Sequence, residues 1–292
     1  IFVSNKFGGN WNYVGSPDIG KIKVAAIAEN NSALMIVCRN DDILLSADTG
    51  ATYTSISTGL TGNSITDIAF DPKHDSTIVA VYNRYQNDNE KIFISHNLGG
   101  TWTNISYNLG NMPIRSILID HTQDRNIYVG AEIGVYTMPM NGNNWIDYSA
   151  GLAKTTVRDL EIQYGSNVLR AATWGRGLWE YTLVGRNDYP AILTTQITNP
   201  PTDLTPLENF SQYVTSVISY DGSLSSVFVK WSVNGNGMTN TLSMQNTQDS
   251  TWVTQSPIPN YPAGSDIYFK VFAVGNSGDT SETYRFMYSV KH

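Results

Sequence analysis

The sequence predicts an all-β chain: β-propeller blades, each a four-stranded antiparallel sheet, followed by an immunoglobulin-like β-sandwich. Three observations support this fold class. An eight-residue pattern recurs along the first part of the chain, apolar segments of strand length follow each copy, and no long run rich in Ala, Leu, Glu and Lys has helical period. Gly, Tyr, Trp, Ser, Thr and Asn are frequent, which favours short strands joined by tight turns.

The recurring pattern is Ser-x-Asp/Asn-x-Gly-x-Thr-aromatic. Two copies match it well: Ser46, Asp48, Gly50, Thr52 and Tyr53 in the first, and Ser95, Asn97, Gly99, Thr101 and Trp102 in the second. Copies that begin at Ser4 and Met138 keep the Gly and the aromatic residue but lose the acid or amide. First positions 4, 46, 95 and 138 give spacings of 42, 49 and 43 residues, the length of one propeller blade.

Apolar segments recur at the same period. The first strand after each motif is predicted at residues 22–28, 65–70, 114–119 and 157–162. Second and third strands follow, for example at 126–130 and 134–137. Each repeat is therefore predicted as three strands, the motif, and a fourth strand.

The motif has a structural role that requires no ligand. An Asp or Asn side chain accepts hydrogen bonds from its own turn, Gly supplies a positive φ, and the aromatic residue packs under the hairpin. The motif resembles the Asp box, or BNR repeat, of sialidases, sortilin-type receptors and xyloglucanase-type glycoside hydrolases. The resemblance implies that the box is a folding element remote from any catalytic centre, so that Asp48 and Asn97 are structural.

The last repeat ends in Thr-Trp-Gly-Arg-Gly-Leu-Trp at residues 173–179. This string is similar to the closing segment of BNR and sortilin-like propellers in secreted proteins of Bacteroidota-type bacteria. The resemblance covers residues 1–184 and implies an exported, extracellular or cell-surface protein. Because residues 1–4 are typical of the middle of a strand, we expect the chain to be covalently continuous with further N-terminal domains, and these blades to be the C-terminal portion of a larger propeller. The alternative is a small or assembled ring of blades.

A second domain is predicted at residues 185–292. Asn- and Pro-rich segments near 187–190 and 199–203 mark the boundary, and the blade motif does not return. About seven short strands over about 100 residues are typical of a β-sandwich. Residues 256–274 resemble immunoglobulin-like or fibronectin-type modules appended to bacterial exported enzymes and adhesins, which implies a spacing or supporting role.

Composition argues against several classes of partner and cofactor. The net charge of -7 without a basic cluster predicts no nucleic-acid binding, and no apolar stretch reaches the roughly 18 residues of a membrane span. The four histidines lack metal-ligand spacing, so we expect no metal site and no cofactor, with Ca²⁺ left open. Cys38 lies in an apolar run and is predicted to be buried and unreactive.

Candidate ligand-binding residues lie in the turns between strands two and three, on the face opposite the Asp boxes. These residues are Asp41, Asp42, Tyr85, Asp88, Glu132, Trp174 and Arg176. If the turns converge, they form a rim of acids with one Trp and one Arg, compatible with a carbohydrate, a peptide or protein ligand, or a Ca²⁺ ion. The alternative is ordinary solvated turn chemistry, with Trp174 and Arg176 packing the last blade.

Three functions remain open. The first is a non-catalytic binding or scaffold segment of a larger exported protein. The second is a glycoside hydrolase, for which Asp41, Asp42, Asp88, Glu132 and Asp159 are unranked carboxylates. A sialidase is disfavoured because residues 112–115 carry Arg, Ile and Pro in a different order from the sialidase motif. The third is a structural subunit of a surface filament or complex.

Overall fold

The computed structural model describes residues 1–292 except 5–9, 16, 18–19, 40, 61–63, 87–88, 123, 187, 199–205, 207 and 236. Asp88 and most of the degenerate motif copy after Ser4 therefore lie outside the described residues. The chain divides into two compact units. The first unit is Ile1–Glu161 with Arg170–Glu180, and the second is Ile162–Leu169 with Tyr181–His292.

Seventeen strands precede residue 183 among the described residues. They are β1 (Phe2–Val3), β2 (Asn12–Tyr13), β3 (Val24–Ile27), β4 (Met35–Arg39), β5 (Asp42–Ser46), β6 (Thr54–Ser55), β7 (Ile65–Asp71), β8 (His74–Tyr82), β9 (Ile92–Ser95), β10 (Thr103–Asn104), β11 (Ile114–Ile119), β12 (Asn126–Ala131), β13 (Val135–Pro139), β14 (Ile146–Asp147), β15 (Val157–Gln163), β16 (Val168–Thr173) and β17 (Leu178–Thr182). A 3-10 turn spans Tyr107–Leu109.

These strands form sheets in which sequence neighbours pair. We name them the half-blade (β1-β2), blade 1 (β3-β4-β5-β6), blade 2 (β7-β8-β9-β10), blade 3 (β11-β12-β13-β14) and blade 4 (β15-β16-β17). The predicted four-stranded antiparallel repeat is confirmed in blades 1 to 3. Blade 4 departs from it with three strands, because no Asp box follows β17 to turn the chain into a fourth.

One backbone hydrogen bond shows how the half-blade corresponds to the complete blades. The residue after the outermost strand donates its N–H to a carbonyl at the start of the third strand. The pairs are Val14 to Ile1 at 3.1 Å, Ile56 to Ile43 at 2.9 Å, Ile105 to Ile92 at 2.9 Å, and Tyr148 to Val135 at 2.8 Å. The strands β1 and β2 thus occupy the positions of a third and a fourth strand.

The second strands carry the core of the first unit. All six residues of β12 are buried, as are the first four of β4. Two clusters of buried side chains form, one from blades 1 and 2 and one from blades 2 and 3, so adjacent blades pack face to face. Cys38 is fully buried, as predicted, and burial raises the pKa of its thiol to about 12.

Eight strands lie in the second unit. They are β18 (Ala191–Thr198), β19 (Tyr213–Ser219), β20 (Leu224–Val233), β21 (Asn240–Gln248), β22 (Thr251–Thr254), β23 (Asp266–Gly275), β24 (Thr280–Glu282) and β25 (Phe286–Ser289). Their order is β18-β19-β22-β21-β20-β23-β24, with β25 also paired to β23. Alternate residues of β23 are buried, and they join a core with Val214, Val229 and Trp231.

Residues 162–169 of the blade 4 hairpin pack within the second unit. The backbone N–H of Ile192 donates to the carbonyl of Gly165 at 2.8 Å, and the Asn167 side chain donates to the Ser281 hydroxyl at 2.8 Å. The rings of Tyr164 and Tyr284 meet edge to face at 5.4 Å. This hairpin tip is therefore part of the second unit's packing.

Within the described ranges, no helix has the length and apolarity of a membrane span.

Candidate ligand-binding face

The Asp box of blade 1 is closed by Asp48. Its carboxylate accepts hydrogen bonds from the Thr52 backbone N–H at 2.8 Å, the Thr52 hydroxyl at 2.6 Å and the Ser46 hydroxyl at 2.8 Å. These donors, the Thr52 hydroxyl first, lower the pKa of Asp48 to about 2. Gly50 has φ +89° and donates its N–H to Ser46 Oγ at 2.8 Å, so the turn satisfies its own polar groups.

Blade 2 builds the same turn with an amide. Asn97 Oδ1 accepts the Thr101 N–H at 2.9 Å, and Gly99, with φ +82°, donates to Ser95 Oγ at 2.8 Å. The box therefore needs an acceptor oxygen at this position and not a charge.

The face opposite the Asp boxes is organised around an ion pair. Glu132, the first residue after β12, accepts from Arg115 Nη2 at 2.7 Å and Nε at 3.2 Å. The Arg115 hydrogen bond, followed by its charge, lowers the pKa of Glu132, and the Thr156 and Tyr85 side chains also hydrogen-bond to this carboxylate. Tyr85 of the blade 2 turn and Glu132 of the blade 3 turn thus lie close together.

Trp174 occupies the equivalent turn of blade 4. Its side chain is 67% exposed, with the Arg158 guanidinium 4.7 Å from the ring centroid. Its backbone N–H donates to the Thr156 carbonyl at 2.8 Å, and its carbonyl accepts the Thr155 hydroxyl at 2.9 Å. The main chain of Trp174 is therefore fixed by hydrogen bonds at both its N–H and its carbonyl.

Blades 3 and 4 share one local design that sequence reasoning missed. Arg115 and Arg158 are each the second residue of an innermost strand, and Glu132 and Trp174 are each the first residue after the second strand. In both blades the Arg contacts that turn residue. The available signal was an apolar residue followed by Arg at the start of both strands.

The other candidate residues have different environments. Asp41 Oδ1 accepts the Ser64 backbone N–H at 2.7 Å and so fixes the chain leading into blade 2. Asp42 is exposed at the start of β5. Arg176 is exposed, and its carbonyl accepts the indole N–H of Trp179 at 2.9 Å.

A buried acid that sequence reasoning missed lies on the innermost strand of blade 2. The carboxylate of Asp67 accepts the backbone N–H groups of Ile68 and Ile117, both at 2.9 Å, and so joins blade 2 to blade 3. Burial raises the pKa of Asp67 to about 6, against those two hydrogen bonds, and the charges of Asp159 and Glu161 raise it further. Because both oxygens are engaged, this carboxyl group links the two blades.

Among the described residues, no group of three or more His, Cys, Asp or Glu side chains has the arrangement of a metal site.

Comparison with known families supports β-propeller blades in the first part of the chain. The Sortilin-Vps10 family model, described as sortilin, neurotensin receptor 3, matches residues 1–132. These residues include the half-blade, blades 1 and 2 and the first two strands of blade 3. No curated protein matches the chain in sequence.

Two solved structures illustrate the remote likeness of this chain to larger proteins. The extracellular domain of a putative hybrid two component system from B. thetaiotaomicron aligns over 95% of this chain with 11% identity and a TM-score of 0.39. A GH74 xyloglucanase from Xanthomonas campestris aligns over 89% with 13% identity and a TM-score of 0.40. This chain covers 37% and 36% of their respective lengths. Likenesses at this level support no argument about activity.

Proposed function

We propose that this chain is a non-catalytic binding and scaffold segment of a larger exported protein, located outside the cell or at its surface. The observation that carries the proposal is the pair of exposed aromatic side chains, Tyr85 and Trp174, at 61% and 67% exposure. Both belong to turns on the face opposite the Asp boxes, and both turns are held by hydrogen bonds around Glu132 and Thr156. Exposed aromatic rings on hydrogen-bonded turns are typical of binding surfaces.

Two of the acids on this face, Asp41 and Glu132, support a non-catalytic role. Asp41 accepts a hydrogen bond from the Ser64 backbone N–H, and Glu132 forms an ion pair with Arg115. Each carboxylate therefore has a structural partner. A glycoside hydrolase needs two carboxyl groups placed on either side of a scissile bond. No specific observation favours the hydrolase or the filament subunit over the binding segment.

The half-blade supports continuity with a further blade. In blades 2 and 3 the Asp-box Trp donates its indole N–H to the preceding blade, from Trp102 to Ile56 and from Trp145 to Ile105, each at 2.8 Å. Trp11, the corresponding residue of the half-blade, is 63% exposed. We infer that another Asp-box blade covers Trp11 in the complete protein. Residues 1–184 would then be the last part of a propeller, with residues 185–292 an appended immunoglobulin-like or fibronectin-type module.

The Sortilin-Vps10 match supports export, and mass spectrometry of the natural gene product tests continuity. We expect a mass above 32.2 kDa, with Asp-box sequence before Ile1. A natural product without a further Asp-box blade would overturn this part of the proposal.

Array binding tests the ligand face. The protein and the variants Trp174→Ala, Tyr85→Ala and Ile146→Ala are applied to oligosaccharide and peptide arrays, with hydrolysis products measured in parallel. Ile146 is a matched control because it is 56% exposed on the outermost strand of blade 3. We expect the protein and the control to bind, the two aromatic variants to bind weakly, and no hydrolysis. Binding that is unchanged in both aromatic variants, or turnover of a glycan, would contradict the proposal.

A further inference from the structure

We propose that Trp174, Arg158 and Arg176 form a subsite for an acidic saccharide, a sugar ring that carries a carboxylate or sulfate group. The sugar ring stacks on the free face of the Trp174 indole, and its anionic group lies against the two guanidinium groups. This inference rests on the proposed binding function and specifies the ligand that the site takes.

The geometry of Trp174 provides a flat surface with one open face. Arg158 lies over the ring at 4.7 Å from its centroid, yet 67% of the side chain is exposed. The turn that follows contains Gly175 and Gly177, with φ +79° and +77°. A Cβ atom added at either glycine would meet no other atom within 4 Å. Because most of the Trp174 side chain is exposed, the C–H face of a pyranose can pack on the ring.

Charge distinguishes this subsite from the neighbouring one on blade 3. Arg115 is paired with Glu132, so that site is close to neutral. Within the part of the chain that the structure describes, neither Arg158 nor Arg176 forms an ion pair with a carboxylate. The Arg158 guanidinium beside the Trp174 ring therefore complements an anion, because it presents several N–H donors in a plane, and the exposed Arg176 adds a second positive charge in the same turn.

Backbone hydrogen bonds on this face favour a saccharide over an extended peptide. The N–H groups of Glu132, Thr173 and Trp174 donate to the carbonyls of Pro113, Gly177 and Thr156. Peptides that bind as added strands need a row of unpaired backbone groups, and these turns use theirs internally. Recognition must then depend on rings and charged side chains.

The neighbouring blades extend the subsite to an oligosaccharide. Tyr85 is 61% exposed, and its hydroxyl group hydrogen-bonds to Glu132. A second aromatic ring on the same face provides a second position for a sugar ring. A chain of sugars binds more tightly than one ring because the second contact follows without a new association step.

Calorimetric titration with an oligogalacturonate and with its methyl ester tests the inference. The ester keeps the sugar rings and removes the charge. We expect the acid to bind about tenfold more tightly than the ester at low salt, with the difference falling at high salt. Arg158→Gln and Arg176→Gln should each reduce this preference to about threefold or less, and Trp174→Ala should abolish the binding of both forms. Arg170→Gln is the matched control, because Arg170 is paired with Glu180 on the same blade and should leave the preference unchanged.

The outcomes separate this inference from the proposed function. Equal affinity for acid and ester would overturn the acidic subsite and leave saccharide binding intact. If neither form binds while another array ligand binds through Tyr85 and Trp174, the acidic saccharide is overturned and the binding function stands. If Trp174→Ala changes no binding in any assay, the acidic subsite fails, and if Tyr85→Ala also changes none, the proposed function fails with it. Circular dichroism of each variant confirms that the chain remains folded.

Discussion

The indole Nε1 of Trp102 donates a hydrogen bond to the carbonyl oxygen of Ile56 at 2.8 Å, so the aromatic residue of one Asp box is bonded to the preceding blade. Trp145 repeats this bond to Ile105 at 2.8 Å, although its box has lost the acid or amide. The motif thus has two separable parts. Its polar residues close a hairpin, and its aromatic residue joins neighbouring blades.

Changing Trp102 to Phe separates ring packing from the hydrogen bond. Trp102→Phe keeps an aromatic ring but removes the donor to Ile56, and it should lower the free energy of unfolding of the first unit by about 1–2 kcal/mol. Urea denaturation followed by circular dichroism measures the change. Trp174→Phe is the control, because that exposed indole stabilises no neighbouring blade. An equal loss in both variants would contradict the role of the Trp102 bond.

The sequence predicts the strands of this unit well because each blade repeats one local pattern. The predicted segment 114–119 is β11, and the predicted segment 65–70 lies within β7. Contacts between positions far apart in sequence could not be predicted in this way. Arg115 of β11 pairs with Glu132 at the end of the neighbouring strand β12, and the hairpin tip at 162–169 packs with residues near 281–284. Periodicity specifies which face a side chain occupies, but not which distant partner it meets there.

The carboxylate of Asp48 should be replaceable by an amide but not by a methyl group. Asp48→Asn keeps an oxygen for the Thr52 N–H, as Asn97 does for Thr101 in blade 2, whereas Asp48→Ala leaves that N–H without its acceptor. We therefore expect Asp48→Ala to lower the Tm of the first unit more than Asp48→Asn does. Scanning calorimetry at pH 7 measures both.

The carboxylate of Asp48 should also make the stability of the folded chain depend on pH in the acid range. The pKa of Asp48 is lowered from 3.8 to about 2 in the folded chain, so its contribution to stability is present above pH 3.8 and is lost as pH falls towards 2. Asp48→Asn should remove this part of the acid sensitivity. An unchanged acid profile in Asp48→Asn would contradict the assignment.

Asp67 should have the opposite effect on stability in a higher pH range. Burial raises its pKa from 3.8 to about 6, so the folded chain holds the proton more strongly than the unfolded chain does. The stabilisation that Asp67 contributes is therefore fully present below pH 3.8 and is lost as the pH rises to about 6. Above that pH, Asp67 causes no further change in stability.

Calorimetry of the first unit between pH 3.8 and 7 tests the role of Asp67. The Tm should decrease over this interval in the parent protein and decrease less in Asp67→Asn. Asp159→Asn is a second variant, because removing that charge lowers the pKa of Asp67 and so narrows the pH interval over which the Tm falls. It leaves the two backbone hydrogen bonds of Asp67 in place. The same decrease in all three proteins would show that another group is responsible.

A methyl group at Gly165 should destabilise the second unit. A Cβ at this position would lie 2.3 Å from the carbonyl oxygen of Ile192, where the backbones of the hairpin tip and β18 approach each other. Because the neighbouring atom is backbone, it cannot rotate away, and we expect Gly165→Ala to lower the free energy of unfolding by about 1–3 kcal/mol. Gly237→Ala is a matched control, since its Cβ would meet nothing within 4 Å. Thermal unfolding of the full chain, followed by near-ultraviolet circular dichroism, measures both variants. If the two variants unfold at the same temperature, the close approach of Gly165 to Ile192 does not limit the stability of the second unit.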